Sequence, residues 1–443
     1  MQPKAYLHKE KHIAPLATFR VAFGLLMLAS IIRFWGKGWI AAQYIQPNYF
    51  FTYYGFDWVK PLAGNGMYFI FAFMGLMALF IALGLFYRLS APLFFLLFTY
   101  VELIDKTNYL NHYYFVSIMA FLLIWVPAHA NYSLDARFGI AHKKSHVPAW
   151  AVDIFKLQLA IVYFYAGLAK LNADWLINAM PLKIWLPAKS HLPIVGWLFD
   201  YKWTAYFFSW FGAFYDLSIA FFLLWSRTRW LAYLAVIAFH LLTAALFPIG
   251  MFPYIMIVAT LIYFSENFHK RIWAALGAST GNLQFKTQKG DMSFSNKLIL
   301  SLLAIHFVFQ FILPFRFALY PDKLFWHEQG YRFSWRVMLM EKSGYVNFVI
   351  EEEATGRQTI VEPSDYLTPV QEKMMSTQPD MMLQFAHYLA EIVRPDLGKV
   401  SVYAKSAVAL NGEGSRPLIA DSINLAAQKR GLHSKTWILP YNY

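Results

Sequence analysis

The sequence contains no cysteine among its 443 residues. This absence excludes disulfide bridges, thiolate zinc sites, iron–sulfur clusters and thiol nucleophiles, so the fold depends on packing and hydrogen bonds. Charged residues are also scarce, at 14% of the chain, whereas 58% of the residues are apolar and 19% are aromatic. This composition is far more apolar than a soluble domain of this length needs, and it indicates a polytopic membrane protein.

Several functional motifs are missing as well. The sequence has no Walker motif, no Gly-rich phosphate loop and no nucleophile elbow, which leaves nucleotide-driven transport and serine hydrolase chemistry unsupported. The thirteen histidines form neither an HExxH nor an HxxHH pattern, so no metal site is expected. The net charge is +13, but the basic residues lie in short loops between apolar segments, and no nucleic-acid partner is expected.

Long apolar windows are what the sequence has in abundance. Nine windows are long enough to cross or nearly cross a bilayer, at residues 15–34, 64–85, 91–104, 113–126, 151–171, 204–225, 230–246, 252–264 and 298–315. Three of them, at 91–104, 113–126 and 252–264, are short. We therefore expect eight or nine transmembrane helices, with the short ones tilted, broken or re-entrant.

After residue 315 the composition becomes that of a soluble module. Residues 331–340 and 345–351 have the pattern of two strands joined by a turn at 341–344. An amphipathic helix is predicted at 381–393 and a further strand at 400–407. The predicted fold is an all-α polytopic membrane bundle over residues 1–315, with a small C-terminal α+β extramembrane domain over residues 316–443.

The distribution of lysine and arginine predicts an orientation. With nine spans and a cytoplasmic start, the even-numbered loops hold Arg88, Arg137, Lys143, Lys144, Arg227, Arg229, Lys270 and Arg271. Since the odd-numbered loops are poorer in basic residues for their length, the positive-inside rule places the N-terminus in the cytoplasm and the C-terminal domain outside. The outer helix ends then bring Lys170, His240 and the segments 105–112 and 248–252 to one membrane face.

Three polar residues, Lys156, Tyr163 and Lys170, recur at seven-residue spacing in the window 151–171 and therefore lie along one stripe of a helix. A lysine at the centre of a membrane helix costs roughly 2.5–3.5 kcal/mol, so such a group is a functional hypothesis. The alternative is that Lys170 extends to the lipid headgroups.

Other polar residues of the apolar segments have similar alternatives. His112 and His240 are either structural hydrogen-bonding groups or parts of a site. Asp216 serves either in bonding between helices or in function.

Seven blocks of residues carry a resemblance to a known family, in the same order along the chain. They are 16–20, 105–107 with 111–112, 146–150, 162–175, 216–218, 240 with 249–252, and 330–335. On these blocks the sequence resembles the vitamin K-dependent γ-glutamyl carboxylases and their bacterial relatives with the horizontally transferred transmembrane (HTTM) domain. The blocks extend from about residue 12 to about residue 390.

The resemblance implies a membrane enzyme that oxidises a reduced naphthoquinone with O2 while it carboxylates glutamate with CO2. The cosubstrate is reduced vitamin K or menaquinol, no metal takes part, and the partners are membrane lipids, the quinol and a glutamate-containing exported protein. The location implied is a bacterial inner membrane, with the active site on the extracytoplasmic side. Lys170 is the implied base, with His112 and His240 as further catalytic residues. The implied quinol-binding residues are Tyr163, Asn111, Asp216 and Met251.

The sequence also departs from the animal enzymes of that family. Ala169 stands where they carry a second lysine before the base, the disulfide is absent, and the lumenal region is much shorter. These departures keep a second hypothesis open, which is a non-catalytic protein of the same fold that binds quinone or lipid or serves as a scaffold. A small-solute transporter would show inverted repeats and paired broken helices, which the sequence does not contain.

Overall fold

The computed structural model describes residues 6–7, 9–278 and 294–441. In these residues the apolar windows of the sequence form nine helices, with an amphipathic helix between the last two. They are α1 (Ala14–Gly36), α2 (Gly66–Leu83), α3 (Tyr87–Ile104), α4 (Asn111–Trp125), α5 (Trp150–Ala169), α6 (Lys202–Leu224), α7 (Arg229–Leu246), α8 (Phe252–Thr260), the amphipathic α9 (Glu266–Ala275) and α10 (Phe294–Ile312).

Seven of these helices, all but α4, α8 and α9, are long and apolar enough to cross a membrane, and α4 and α8 are shorter apolar helices. The prediction of a polytopic helical membrane bundle is confirmed, with seven helices of spanning length in the described residues where eight or nine were expected. The expectation that the third window is short was wrong. Helix α3 begins at Tyr87 because the Asp135 carboxylate accepts hydrogen bonds from the backbone N–H groups of Phe86 and Tyr87, at 2.8 and 2.9 Å.

Shorter helices connect these elements. One-turn and two-turn α-helices lie at Trp39–Tyr44, Leu134–Arg137, Ala173–Leu176, Leu182–Trp185 and Leu324–His327. Segments of 3₁₀-helix lie at Lys106–Asn108, Pro187–Lys189, Gly196–Asp200, Leu261–Tyr263, Leu313–Leu319, Pro363–Asp365 and Leu425–Ala427. Before α1 and α5 the strands β1 (Glu10–His12) and β2 (His146–Pro148) pair antiparallel, with Lys11 opposite Val147.

The extramembrane domain is built on three antiparallel strands and two helices. The strands β3 (Lys342–Glu352), β4 (Gln358–Val361) and β5 (Val400–Leu410) lie in the order β4-β3-β5. Helices α11 (Pro369–Met375) and α12 (Pro379–Leu397) precede β5, and α12 packs on the sheet. The predicted helix at 381–393 and the strands at 345–351 and 400–407 are confirmed.

The predicted strand at 331–340 was wrong, and so was the turn predicted at 341–344, since β3 already begins at Lys342. Residues 331–340 form turns and irregular structure. Phe333, Trp335 and Met338 have φ of 61, 58 and 54°, a left-handed conformation that no strand contains. The Trp335 ring stacks on Tyr114 of α4, with centroids 4.9 Å apart, and this aromatic packing overrides the strand pattern of the sequence.

Helices α1 and α2 approach closely at one glycine. A Cβ atom on Gly24 would lie 2.5 Å from the backbone nitrogen of Ala82 and 2.6 Å from the carbonyl oxygen of Ala78. Small residues at such crossings allow backbones to touch, which is the main source of helix association in lipid. The fully buried Arg20, one turn earlier, donates to the carbonyl oxygens of Ile81 and Ala82 at the end of α2.

A partly buried ion cluster joins the extramembrane domain to the bundle, with the Asp380 side chain 32% exposed. Lys106, in the connection between α3 and α4, and Arg332 both donate to Asp380 Oδ2, at 2.8 and 2.9 Å. Burial lowers the pKa of Lys106 to about 8. Burial by itself would raise the pKa of the Asp380 carboxyl, but the charges of Arg332 and Lys106 hold that pKa well below its usual range. The cluster therefore links the connection between α3 and α4 to the extramembrane domain.

Replacing Gly24 by alanine is expected to lower the free energy of unfolding by about 1–3 kcal/mol, because the new methyl group overlaps backbone atoms of α2 that cannot give way. Thermal unfolding in detergent micelles measures this. Gly36→Ala is the matched control in the same helix, since nothing lies within 4 Å of its added Cβ. Equal unfolding temperatures for the two variants would contradict the close crossing.

Replacing Asp380 by asparagine is expected to destabilise the protein by about 1.5–3 kcal/mol near neutral pH, since two cations lose their charged acceptor. A carboxyl with a lowered folded-state pKa stabilises the protein fully above its ordinary value of 3.8 and progressively less below it. The unfolding curves of wild type and variant should therefore converge as the pH falls below that value. Glu353→Gln, which removes an exposed ion pair with Lys399, is the control and should have little effect.

Candidate functional site

Lys170 is buried where α5 meets α6. Its Nζ atom donates to Asp216 Oδ2 at 2.6 Å and to the carbonyl oxygen of Ala166 at 3.2 Å. Both charged residues are only 6% exposed. The ring of Trp175, from the outer connection that follows α5, lies 5.5 Å from the amine and adds a cation–π contact.

The local sequence explains this contact. A Cβ atom on Gly167 would lie 2.7 Å from the backbone nitrogen of Leu217, so glycine is what allows α5 and α6 to approach here. The close crossing brings Asp216 within hydrogen-bond distance of Lys170. Extension of Lys170 to the headgroups, the alternative weighed above, is not the arrangement found. Asp216 bonds two helices together and is at the same time the partner of the predicted base.

A second buried pair lies one heptad deeper in α5. The Tyr163 hydroxyl and His240 Nε2 of α7 are 3.1 Å apart, and both side chains are 2% exposed. The other ring nitrogen of His240, Nδ1, is buried and has no hydrogen-bond partner among the described residues. Tyr215, next to Asp216, packs between the two pairs, with its ring centroid 6.0 Å from that of Tyr163.

Lys156, the deepest member of the predicted stripe, lies 3.7 Å from the carboxylate of Asp153 one turn away. It is therefore a paired charge, as expected from its position, and takes no part in the site.

The other predicted site residues line a cavity of about 690 Å³ between the bundle and the extramembrane domain. Asn111, His112 and Met251 belong to its wall. The ring of Phe252 lies between the two imidazoles, with its centroid 5.9 Å from that of His112 and 5.7 Å from that of His240. The volume falls within the range of about 300–1,000 Å³ that small-molecule sites occupy.

The structure thus divides the predicted site into two parts. Asn111, His112 and Met251 line the cavity, whereas the buried pairs Lys170–Asp216 and Tyr163–His240 do not. No hydrogen bond or ion pair joins Lys170 to either imidazole in the part of the chain that the structure describes. A second cavity, of about 550 Å³, lies beside Lys170 and is lined by its neighbours Ala169 and Leu171.

Three arginines that line the cavity holding His112 were not among the sequence-predicted site residues. They are Arg33, Arg332 and Arg336. The strand predicted for 331–340 placed Arg332 and Arg336 on one face but gave no sign that this face meets the bundle. Arg332 lies within the resembling block 330–335 and Arg336 directly follows it, and their charge in an aromatic segment was the further signal available in the sequence.

The arrangement suits proton transfer without water. A buried amine paired with a buried carboxylate can hold a proton on either partner, because in a dry site the neutral pair competes with the ion pair. A cavity whose wall combines amide, imidazole and charged groups with apolar side chains can orient a lipophilic molecule that carries hydroxyl groups.

Two family models match the chain, and together they account for most of it. The HTTM domain matches residues 8–268, and the lumenal domain of vitamin K-dependent gamma-carboxylase matches residues 295–443. No solved structure was found to match. The first match covers more than half of the chain, and the second covers the last apolar helix, α10, together with the extramembrane domain. The chain therefore belongs to the HTTM-domain family, among those members that carry the vitamin K-dependent gamma-carboxylase lumenal domain.

Proposed function

We propose that the protein is a vitamin K-dependent carboxylase-like enzyme that deprotonates and epoxidises a reduced naphthoquinone with O2 and couples this to carboxylation of glutamate. The observation that carries the proposal is the Lys170–Asp216 pair, buried in the membrane bundle beside the cavity of about 550 Å³. The match to the carboxylase lumenal domain supports the reaction class.

The pair supplies the initiating base. Transfer of a proton from Lys170 Nζ to Asp216 Oδ2, along the 2.6 Å hydrogen bond, leaves the amine with a free electron pair. The amine then accepts the proton of a quinol hydroxyl, and the resulting ammonium stabilises the quinol anion. Oxygenation of that anion yields a base strong enough for the γ-proton of glutamate, provided that water is excluded.

The remaining site residues orient the quinol. Asn111 and His112 offer hydrogen-bonding groups at the cavity wall, and Met251 and Phe252 offer apolar surface for the ring. Tyr163 and His240 support that wall from behind. We place the site on the extracytoplasmic face of a bacterial inner membrane, where a quinol arrives from the lipid and an exported protein from the aqueous side.

The non-catalytic alternative also has an observation in its favour. Lys170 contributes to the lining of neither cavity, although its neighbours Ala169 and Leu171 line one of them. A protein that binds a quinol or lipid in these cavities without turning it over would show this separation too.

Purified protein supplied with reduced vitamin K, O2, bicarbonate and a Glu-containing peptide should form quinone epoxide and fix CO2. Lys170→Ala should lower the rate of epoxide formation by about 10²–10⁴-fold, the usual contribution of a general base. Lys156→Ala, in the same helix, is the matched control and should retain activity. Quinol binding by wild type without any product would favour the non-catalytic alternative, and undiminished epoxide from Lys170→Ala would exclude Lys170 as the base.

Stability measurements test the pair itself. Lys170→Met and Asp216→Leu are each expected to lower the free energy of unfolding by about 3–5 kcal/mol, because each leaves one buried charge without its partner. The double variant should lose much less than the sum, since it leaves no unpaired charge. Chemical or thermal unfolding in micelles gives the coupling, and additive losses would show that the two groups are not paired.

A further inference from the structure

We infer that Arg336 is the receptor for a carboxylate-type oxyanion, which the γ-carboxylate of a substrate glutamate or bicarbonate would supply. The inference rests on the proposed function for the identity of the ligand. It rests on the structure alone for the existence of the site, which lies in the wall shared by the two cavities.

Arg336 carries a buried charge without an acceptor. The residue is 8% exposed, and its Nε atom has no hydrogen-bond partner. Among the described residues no carboxylate or carbonyl oxygen accepts a hydrogen bond from its guanidinium group. The ring of Phe317, 4.4 Å from the guanidinium carbon, offers a cation–π contact but no hydrogen-bond acceptor. The terminal nitrogens, which have no acceptor in the part of the protein that the structure describes, face the cavities, where an anionic ligand would accept hydrogen bonds from them.

The neighbouring carboxylates are already engaged with other cations. In the smaller cavity Asp174 pairs with Lys323 at 3.0 Å. In the larger cavity Glu328 pairs with Lys342 at 2.7 Å. The charge of Arg336 is therefore left uncompensated in both cavities.

Further cations surround the larger cavity. Arg33, Lys106 and Arg332 also line it, and the last two share the single carboxylate of Asp380. The net field in this cavity is positive, which favours an anion over a neutral ligand.

The position of Arg336 suits a carboxylate that must meet the quinol. Its backbone carbonyl accepts a hydrogen bond from Asn111 Nδ2 at 2.9 Å, and His112 is the next residue in the same wall. A planar guanidinium binds a carboxylate through two parallel hydrogen bonds, which orients the group as well as holding it. Because the extramembrane domain supplies Met374 and Gln378 to the same cavity, a peptide side chain can enter from the aqueous side.

The test measures binding without quinol or O2, so its outcome is independent of turnover. Purified full-length protein in neutral detergent is titrated with a dye-labelled, end-blocked pentapeptide that holds one Glu, and with the same peptide holding Gln. Wild type should bind the Glu peptide roughly 10- to 100-fold more tightly, as expected for a charged hydrogen bond. Arg336→Gln should abolish this preference and Arg336→Lys should keep part of it. Arg227→Gln, at an exposed arginine between α6 and α7, should leave it unchanged.

A second measurement covers bicarbonate and the structural role of the residue. Arg336→Met should be as stable as wild type without ligand, because no protein partner is lost. If only bicarbonate raises the unfolding temperature in a way that requires Arg336, bicarbonate is the ligand and the site stands. The inference is wrong if neither the binding of the Glu peptide nor the stabilisation by bicarbonate requires Arg336. It is also wrong if only stabilisation by phosphatidylglycerol added to the micelles requires Arg336, or if Arg336→Met is destabilised as much as a protein that has lost a buried ion pair.

Discussion

The contact between Lys170 and Asp216 across α5 and α6 is the interaction on which the site depends. Two opposite charges are buried together in an apolar bundle, where neither could remain charged by itself at acceptable cost. Their 2.6 Å separation is possible because Gly167 lets the two helices touch. The same crossing places Tyr215 against Tyr163, and thereby joins the charged pair to the Tyr163–His240 pair of the deeper layer.

The extramembrane domain contributes further charged and aromatic residues to this arrangement. Lys106 of the bundle and Arg332 of the domain both bind the carboxylate of Asp380. The segment at 331–340 packs on aromatic side chains of α4 and forms no strand. Left-handed residues in such a segment cost about 1–3 kcal/mol each and persist where the surroundings hold them. Here the surroundings are the stacked rings of Trp335 and Tyr114, and the result is that Arg336 lies between two cavities.

The groups of the site thus divide by chemistry. In the proposed function the buried pair moves a proton, the amide and imidazole groups orient the quinol, and Arg336 holds an anion. The three tasks need different surroundings. The charged pair needs a helix crossing without water, the quinol needs a wall with both polar and apolar side chains, and the anion needs a cavity with a positive field. The bundle and the domain together provide all three within a short distance. This explains why neither family-matched part has the whole site.

The sequence by itself determined the helical membrane bundle and most of the small α+β domain, and it singled out Lys170 as a candidate, because hydrophobic periodicity and a lysine in an apolar helix are local signals. It could not decide that Asp216 is the partner of Lys170, that Phe252 lies between His112 and His240, or that Arg336 is left without an acceptor. Those facts depend on contacts between residues far apart in the chain. They arise from close packing at glycines and aromatic rings, which overrides local preference wherever the two disagree, as the segment at 331–340 shows.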